Sequence, residues 1–367
     1  MWLFLDDTKN SIYDFLGINM IVWIALLYFG YHVDVCAALP VESGKIQANV
    51  EYIDIDYSLW LTWLLTPLVI TILLPIVIGI LIYLSALILY IYKLHWHTLK
   101  RTIDARDMWG TGVKIVSAIW DAHGWIWHGY EIDGIENIPT DSPALIVYYH
   151  GSIPVDMYYF IAKVYLTRNR LIHTVADNFL FKIPGFSIIA DALNVIPGTR
   201  LICANILKEG NLLGIAPGGV YEAQFGSSST YNLLWKKRLG FAKVALDAKS
   251  PIIPMFTENI REAFRAGLCG SFGRKIFLRL YAWTKFPLAW NYGGFPVKLT
   301  THVGKPIPYD PNLTPEELQA KIANAIRDLV QTHQRLPGSI LCGLLDRIPY
   351  FRRKYKDDKS SKRCRTC

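Results

Sequence analysis

Residues 144–166 read ALIVYYHGSIPVDMYYFIAKVYL. The first part, ALIVYYH (144–150), is short and apolar throughout, as a strand buried on both faces should be. Two small residues follow. PVDMYYFIAKVYL (154–166) then has the length of a helix, and Pro154 suits a first helical turn, where the missing N–H is no loss. A buried strand running into a helix is the repeating unit of an α/β sheet.

The unit recurs downstream. LIHTVAD (171–177) reads as a strand, and 178–193 as helix interrupted at Pro184-Gly185. NVIP (194–197) is a short strand, and TRLICANILKEG (199–210) a helix ending at Gly210. LLGIAPGG (212–219) is a strand entering a glycine-rich turn. NLLWKKRLGFAKVALDAK (232–249) reads as a helix, PIIPMF (251–256) as a strand and VKLTTHVGKPI (297–307) as a late strand. Thr314-Pro315-Glu316-Glu317 is a capping box that opens a helix to about Leu336. Leu318, Ile322, Ile326 and Leu329 share one face of it. The expected fold is α/β: a domain over 130–340 with a mostly parallel or mixed sheet flanked by helices.

Upstream, residues 57–92 contain no charged side chain. A spanning helix needs roughly 20 apolar residues, and this run as one helix would reach about 54 Å against a ~30 Å hydrocarbon core. Pro67, Pro75 and Gly79 are candidate breaks. One tilted span and two half-length helices in a re-entrant hairpin both fit. Within residues 1–56, the stretch 15–33 (FLGINMIVWIALLYFGYHV) also lacks acids, Lys and Arg, and either spans or lies at the interface. Asp6, Asp7 and Asp14 against one Lys9 argue against a cleaved signal peptide. Lys93, Lys100, Arg101 and Arg106 follow the main run, whereas residues 34–56 hold one Lys45 against five acids. The positive-inside rule therefore places everything after Lys93 in the cytosol. Residues 93–129, with Trp109, Trp120, Trp125 and Trp127, are expected to link the anchor to the domain along the membrane face, or to pack on the domain as a helix.

The 367 residues carry a net charge of +8, with 52% hydrophobic and 19% charged residues. Residues 346–367 hold nine basic and three acidic side chains, so six of the eight charges belong to the segment 341–367. Such a tail is expected to be disordered and drawn to an anionic leaflet. That distribution speaks against a nucleic-acid-reading face. The six cysteines form no disulfide framework. The histidines outside position 150 show no metal-ligand spacing, so no metal is expected. No G-x-S-x-G elbow, Walker or dinucleotide fingerprint is present.

The chemistry concentrates in two stretches. In HGSIPVD (150–156), His150 closes a strand and Asp156 lies in the first helical turn. Along one continuous helix the two would face different ways. They meet only if Gly151 and Ser152 turn and the helix starts near Pro154, which makes Asp156 the third helical residue. Asp156 then accepts from one ring nitrogen and leaves the other as a base. The alternative is a strand-end histidine and a helix-capping aspartate that never meet. In APGGVYEA (216–223), paired glycines at a strand end leave backbone N–H groups free to approach an anion or oxyanion.

His150…Asp156, a Pro-Gly-Gly turn some sixty residues on and then PIIPMF together resemble the glycerolipid acyltransferase superfamily (the PlsC-like lysophospholipid/glycerol acyltransferases). WHGYEIDGIENIP (127–139), FKIPGFS (181–187), PIIPMFTENIREAF (251–264), YGGFPVKL (292–299) and PIPYDP (306–311) look like its transmembrane protein 68 branch. The resemblance covers roughly 57–345. It implies an integral-membrane enzyme of the endoplasmic reticulum that moves an acyl group from acyl-CoA, a co-substrate and not a bound cofactor, to a glycerolipid hydroxyl. It makes His150 the base and Asp156 its orienting partner. Gly151, Ser152, Arg200, Pro217, Gly218, Gly219, Val220, Tyr221 and Glu222 become substrate or oxyanion contacts.

Three features depart from the superfamily pattern. His150 and Asp156 have five intervening residues instead of four, the glutamate of the Pro-Glu-Gly loop is Gly218, and the arginine expected after that loop is Tyr221. Loss of that arginine removes a phosphate partner, so the expected acceptor is neutral: a mono- or diacylglycerol, or a long-chain alcohol. The competing expectations are a lipid hydrolase or CoA-independent transacylase using the same His150, and an inactive membrane lipid-binding scaffold.

Overall fold

A computed structural model describes residues 57–99, 105–183, 186–267, 270–284 and 290–352. The expected segment at 15–33 and most of the basic tail lie outside them. The chain divides into two units, residues 1–67 with 347–367, and Leu68–Asp346. The described part of the first holds the opening turns of a long helix and residues 347–352. The second carries the sheet.

The charge-free run is one continuous helix, Tyr57–Leu99, which Pro67, Pro75 and Gly79 do not break. Its Leu73–Leu94 portion is long and apolar enough to cross a membrane, with a mean hydropathy of 2.6. One stripe of that portion, Ile78, Ser85, Ala86 and Leu89, is buried, while Leu73, Ile76, Ile80, Leu84 and Leu87 are exposed. Ser85 Oγ accepts from Trp120 Nε1 at 3.1 Å. Trp120 belongs to the helix Ala105–His128, which occupies most of the 93–129 stretch. Its ring stacks on Tyr158 of the helix Val155–Arg168, with centroids 4.7 Å apart.

Seven strands form the main sheet: β1 (Glu131–Asp133), β2 (Ala144–Tyr148), β3 (Ile172–Ala176), β4 (Val195–Pro197), β5 (Leu212–Ile215), β6 (Ile252–Glu258) and β9 (Thr300–Val303). Their order is β1-β9-β6-β2-β5-β3-β4. β6, β2, β5, β3 and β4 run parallel. β9 is antiparallel to β6, with Phe256 opposite His302, and parallel to β1. The sheet is therefore mixed but mostly parallel. β2 is buried at every position, as its unbroken apolar run requires. Two short strands, β7 (Phe264–Gly267) and β8 (Trp290–Gly293), pair antiparallel outside this sheet.

One expected helix is shortened. Of 232–249, only Gly240–Ala248 is helical. Tyr231 and Lys236 have φ of 49° and 51°, values no helix accommodates. The Leu234 N–H donates to Glu222 Oε1 at 2.8 Å, and Arg238 Nη1 donates to the carbonyls of Pro217 and Gly218 at 2.8 and 2.9 Å. These bonds draw the segment onto the glycine-rich turn and outweigh local helix propensity.

The expected capping box forms: Thr314 Oγ1 accepts from the Glu317 N–H at 3.3 Å, and Glu317 Oε2 accepts from the Thr314 N–H at 2.8 Å. It opens the helix Pro315–His333, whose Leu318, Ile322 and Ile326 are buried. Thr314→Ala should lower unfolding stability by about 1 kcal/mol, read as a reduced denaturant midpoint at unchanged slope.

Candidate active site

β6, β2 and β5 are neighbours and parallel, so their carboxyl ends emerge side by side. Crevices at such ends are where open α/β sheets bind ligands. β2 delivers Tyr149 and His150 there, β5 the 216–219 turn, and β6 a one-turn helix, Ile260–Ala263.

The His150 peptide is held at both ends. Its N–H donates to Glu222 Oε2 at 3.1 Å. Its carbonyl accepts from Arg261 Nη2 at 3.0 Å. The ring Nδ1 lies 2.6 Å from the Gly151 carbonyl oxygen. A carbonyl only accepts, so Nδ1 carries the hydrogen and Nε2 presents a lone pair. Burial pushes the His150 pKa down to about 4; the neighbouring Arg261 charge adds to this and the bond to Gly151 opposes it. The imidazole is thus neutral at physiological pH.

The chain bends at Ser152 and Ile153, one residue later than expected, and the next helix starts at Val155 with Pro154 at the N-cap. Asp156 is therefore the second helical residue, one place earlier than expected. It is 1% exposed. Burial raises its pKa to about 6, against hydrogen bonds from the Thr257 side chain and the amides of Met157 and Asp156 itself. Among the described residues no hydrogen bond joins Asp156 to His150, and Asp156 Oδ1 is buried without a partner. Beyond Thr257 a chain of hydroxyls continues. Thr257 Oγ1 lies 2.9 Å from Thr301 Oγ1, which lies 2.8 Å from the Tyr130 hydroxyl.

Glu222 is fully buried. Burial raises its pKa to about 7, opposed by the N–H groups of Leu234 and His150 and by the charges of Arg261 and Arg238. Arg261, 2% exposed, donates from Nε to the Tyr149 hydroxyl, from Nη1 to the Ala223 carbonyl at 3.3 Å and from Nη2 to the Glu222 carbonyl at 2.5 Å. Ser152 Oγ lies 3.5 Å from Arg261 Nη1. No motif in the sequence assigns Arg261 a role. The signal available was a lone arginine three residues past the end of β6, in the TENIREAF stretch.

In the glycine-rich turn, the Gly219 N–H is committed to the Ala216 carbonyl at 3.0 Å. Arg238 covers the carbonyls of Pro217 and Gly218. A helix begins at Gly219 and carries Val220, Tyr221 and Glu222. The Tyr221 ring packs with Phe225 and Tyr281, and Lys236 Nζ sits 3.7 Å over it. Arg200 stands apart. It makes a two-pronged, partly exposed pair with Asp247 at 2.6 and 2.8 Å. It follows β4, on the same side of the sheet as His150 but three strand positions away, about 14 Å. Among the described residues no group of three or more His, Cys, Asp or Glu is placed to hold a metal ion.

A family model described as Acyltransferase matches residues 129–258, which take in His150, Asp156 and the 216–223 turn. A human protein named "DGAT1/2-independent enzyme synthesizing storage lipids" is 49% identical over 294 residues, covering 80% of this chain and 88% of that protein. The cattle protein of the same name is 48% identical over 333 residues, covering 89% and 96%. The crystal structure of the 1-acyl-sn-glycerophosphate (LPA) acyltransferase PlsC from Thermotoga maritima is 18% identical, covers 68% of this chain and 96% of its own, and superposes with a TM-score of 0.43.

The buried carboxyl makes a testable claim about stability. Asp156 has a folded pKa of about 6, above the ordinary value of about 3.9. The folded state therefore binds the proton more tightly than the unfolded state, and wild-type stability falls as pH rises through that window. Asp156→Asn has no such dependence. Relative to wild type, the variant should gain about 2 kcal/mol between roughly pH 4.5 and pH 7.5, read by chemical denaturation at the two values. A gap that does not change with pH would contradict the raised pKa.

Proposed function

The chain belongs to the glycerolipid acyltransferase superfamily, in the branch of the storage-lipid enzymes, and is an acyltransferase; from that premise we propose that it transfers a fatty acyl group from acyl-CoA to the hydroxyl of a neutral glycerolipid, giving di- or triacylglycerol. The observation that carries the reading is the His150 imidazole. It is neutral, fixed through Nδ1 on the Gly151 carbonyl, and has Nε2 available as a base at the carboxyl ends of the parallel strands.

Nε2 takes the proton of the acceptor hydroxyl as that oxygen attacks the thioester carbon. The new C–O ester bond forms, the C–S bond breaks, and the thiolate leaves and recovers the proton from the imidazolium as CoA thiol. No acyl-enzyme is needed. Asp156 is the proposed partner of the imidazolium, since its Oδ1 has no other donor. Gly151 and Ser152, residues 217–221 and, further out, Arg200 frame the substrate side.

Two observations support a neutral acceptor. Tyr221 stands where an arginine was expected, and the nearby cations are engaged: Lys236 with the Tyr221 ring and Arg238 with backbone carbonyls. The names of the relatives, which speak of storage lipids, agree. The Leu73–Leu94 stretch is proposed to anchor the enzyme in the endoplasmic reticulum membrane, with the catalytic domain in the cytosol.

Microsomes supplied with labelled acyl-CoA and a panel of acceptors test this. Wild type should esterify mono- or diacylglycerol in proportion to added acyl-CoA, and His150→Ala should lose at least about 100-fold. Equal product from both would remove His150 from the mechanism. Acylation of lysophosphatidic acid with none of either neutral lipid would overturn the acceptor, and product formed without acyl-CoA would favour transacylation.

A further inference from the structure

We infer that Glu222 is a positioning residue for His150 and not a substrate contact: with Arg261 it clamps the His150 peptide, from space that a side chain at position 218 would otherwise fill. The inference rests on the reading of His150 as the base.

Three observations carry it. First, the two polar atoms of the His150 peptide have separate holders. Glu222 Oε2 takes the N–H at 3.1 Å, and Arg261 Nη2 takes the carbonyl at 3.0 Å. Arg261 Nη2 also bonds the Glu222 carbonyl at 2.5 Å, so the two clamp arms are fixed to each other. Second, Glu222 uses both carboxylate oxygens on backbone donors, His150 N–H and, at 2.8 Å, Leu234 N–H. The carboxylate is fully buried, which suits a fixture rather than a group waiting for substrate. Glutamine has one acceptor oxygen and would turn its NH₂ toward the other N–H. Third, a Cβ built on Gly218 would run into Cβ, Cδ and Oε2 of Glu222. A side chain at 218 and the Glu222 carboxylate exclude each other. Gly218 is where the Pro-Glu-Gly pattern places its glutamate, so a carboxylate from one helical turn later occupies the room vacated there.

The clamp acts on catalysis through geometry. The ring hangs from the clamped peptide, and its Nδ1 bond goes to the next carbonyl in the chain, that of Gly151. Releasing the N–H of residue 150 frees the peptide that sets where Nε2 points. An error of about 1 Å in a base can cost up to about 100-fold in rate.

The test uses the full-length protein in detergent or nanodiscs, with Glu222→Gln, Glu222→Ala and the exchange Gly218→Asp/Glu222→Ala, which returns a carboxylate to the same space from the other side. In Glu222→Gln and Glu222→Ala, kcat should fall at least about tenfold while KM for acyl-CoA and acceptor stays within about twofold. The exchange should restore much of kcat, and Gly218→Asp alone should not be tolerated. In parallel, the titration of the His150 imidazole, followed in histidine-labelled protein, should move upward from about 4 in Glu222→Gln, because the released ring reaches water, against the downward shift that loss of a nearby carboxylate charge alone would give. An unchanged kcat in both single variants would overturn the inference. So would a raised KM with kcat preserved, the mark of a substrate contact, or an unmoved His150 titration. If Glu222→Ala does not fold, Glu222→Gln and the titration still decide. If His150→Ala proves active, the base assignment fails, and the titration alone still reports on the clamp.

Discussion

The guanidinium of Arg261 is almost entirely withdrawn from water and donates to five acceptors. They lie on the loop after β2 and on the helix after β5, while Arg261 itself follows β6. One planar cation thus ties together the ends of three adjacent strands. A buried charge is tolerated only where its donors are met, and here three backbone carbonyls and two hydroxyls meet them. No aliphatic residue could replace it, because it would leave the carbonyls of His150, Glu222 and Ala223 without this donor. A Cβ on Gly226 would collide with the same guanidinium. The site is therefore specified at several positions that never meet substrate.

Around this anchor, burial sets the charge state of the machinery. The same desolvation lowers the His150 pKa to about 4 and raises those of Asp156 and Glu222 to about 6 and about 7. It disfavours the charged form in each case. A neutral base suits a reaction that begins with removal of a hydroxyl proton. The cost falls on the imidazolium formed midway, which needs a carboxylate nearby. In the proposed mechanism Asp156, whose Oδ1 is buried without a donor, is that carboxylate.

Much of this was legible in the sequence where one signal governed. The unbroken apolar run of β2 and the Thr314 capping box are local features and formed as read, and a helix follows Pro154 as expected, with its start shifted by one residue. Reading failed where a distant partner decided. Residues 232–239 have a helical pattern, yet Glu222 and the Pro217–Gly218 carbonyls pull them into a turn with Lys236 left-handed. Pro154 caps the helix instead of entering it, which moves Asp156 by one place. Spacing brought His150 and Asp156 to one turn of chain but could not show that Gly151, the immediate neighbour, takes the ring nitrogen. β7 and β8, four residues each, are too short for a periodic signal. Arg261 was hidden because a lone arginine after a strand says nothing of the five acceptors that fold around it.

The long helix and the candidate crevice are joined by packing within one unit: Ser85 to Trp120, Trp120 to Tyr158, and Tyr158 on the helix whose first turn holds Asp156. An apolar helix and the α/β site share a framework, as the proposed action on membrane lipids requires. The account stands most directly on the protonation of one ring. Nitrogen NMR of histidine-labelled protein at neutral pH, with His150 assigned by its loss in His150→Ala, reads that state. The account predicts a neutral ring with hydrogen on Nδ1 and a bare Nε2. Hydrogen on Nε2, or a charged imidazolium, would contradict it.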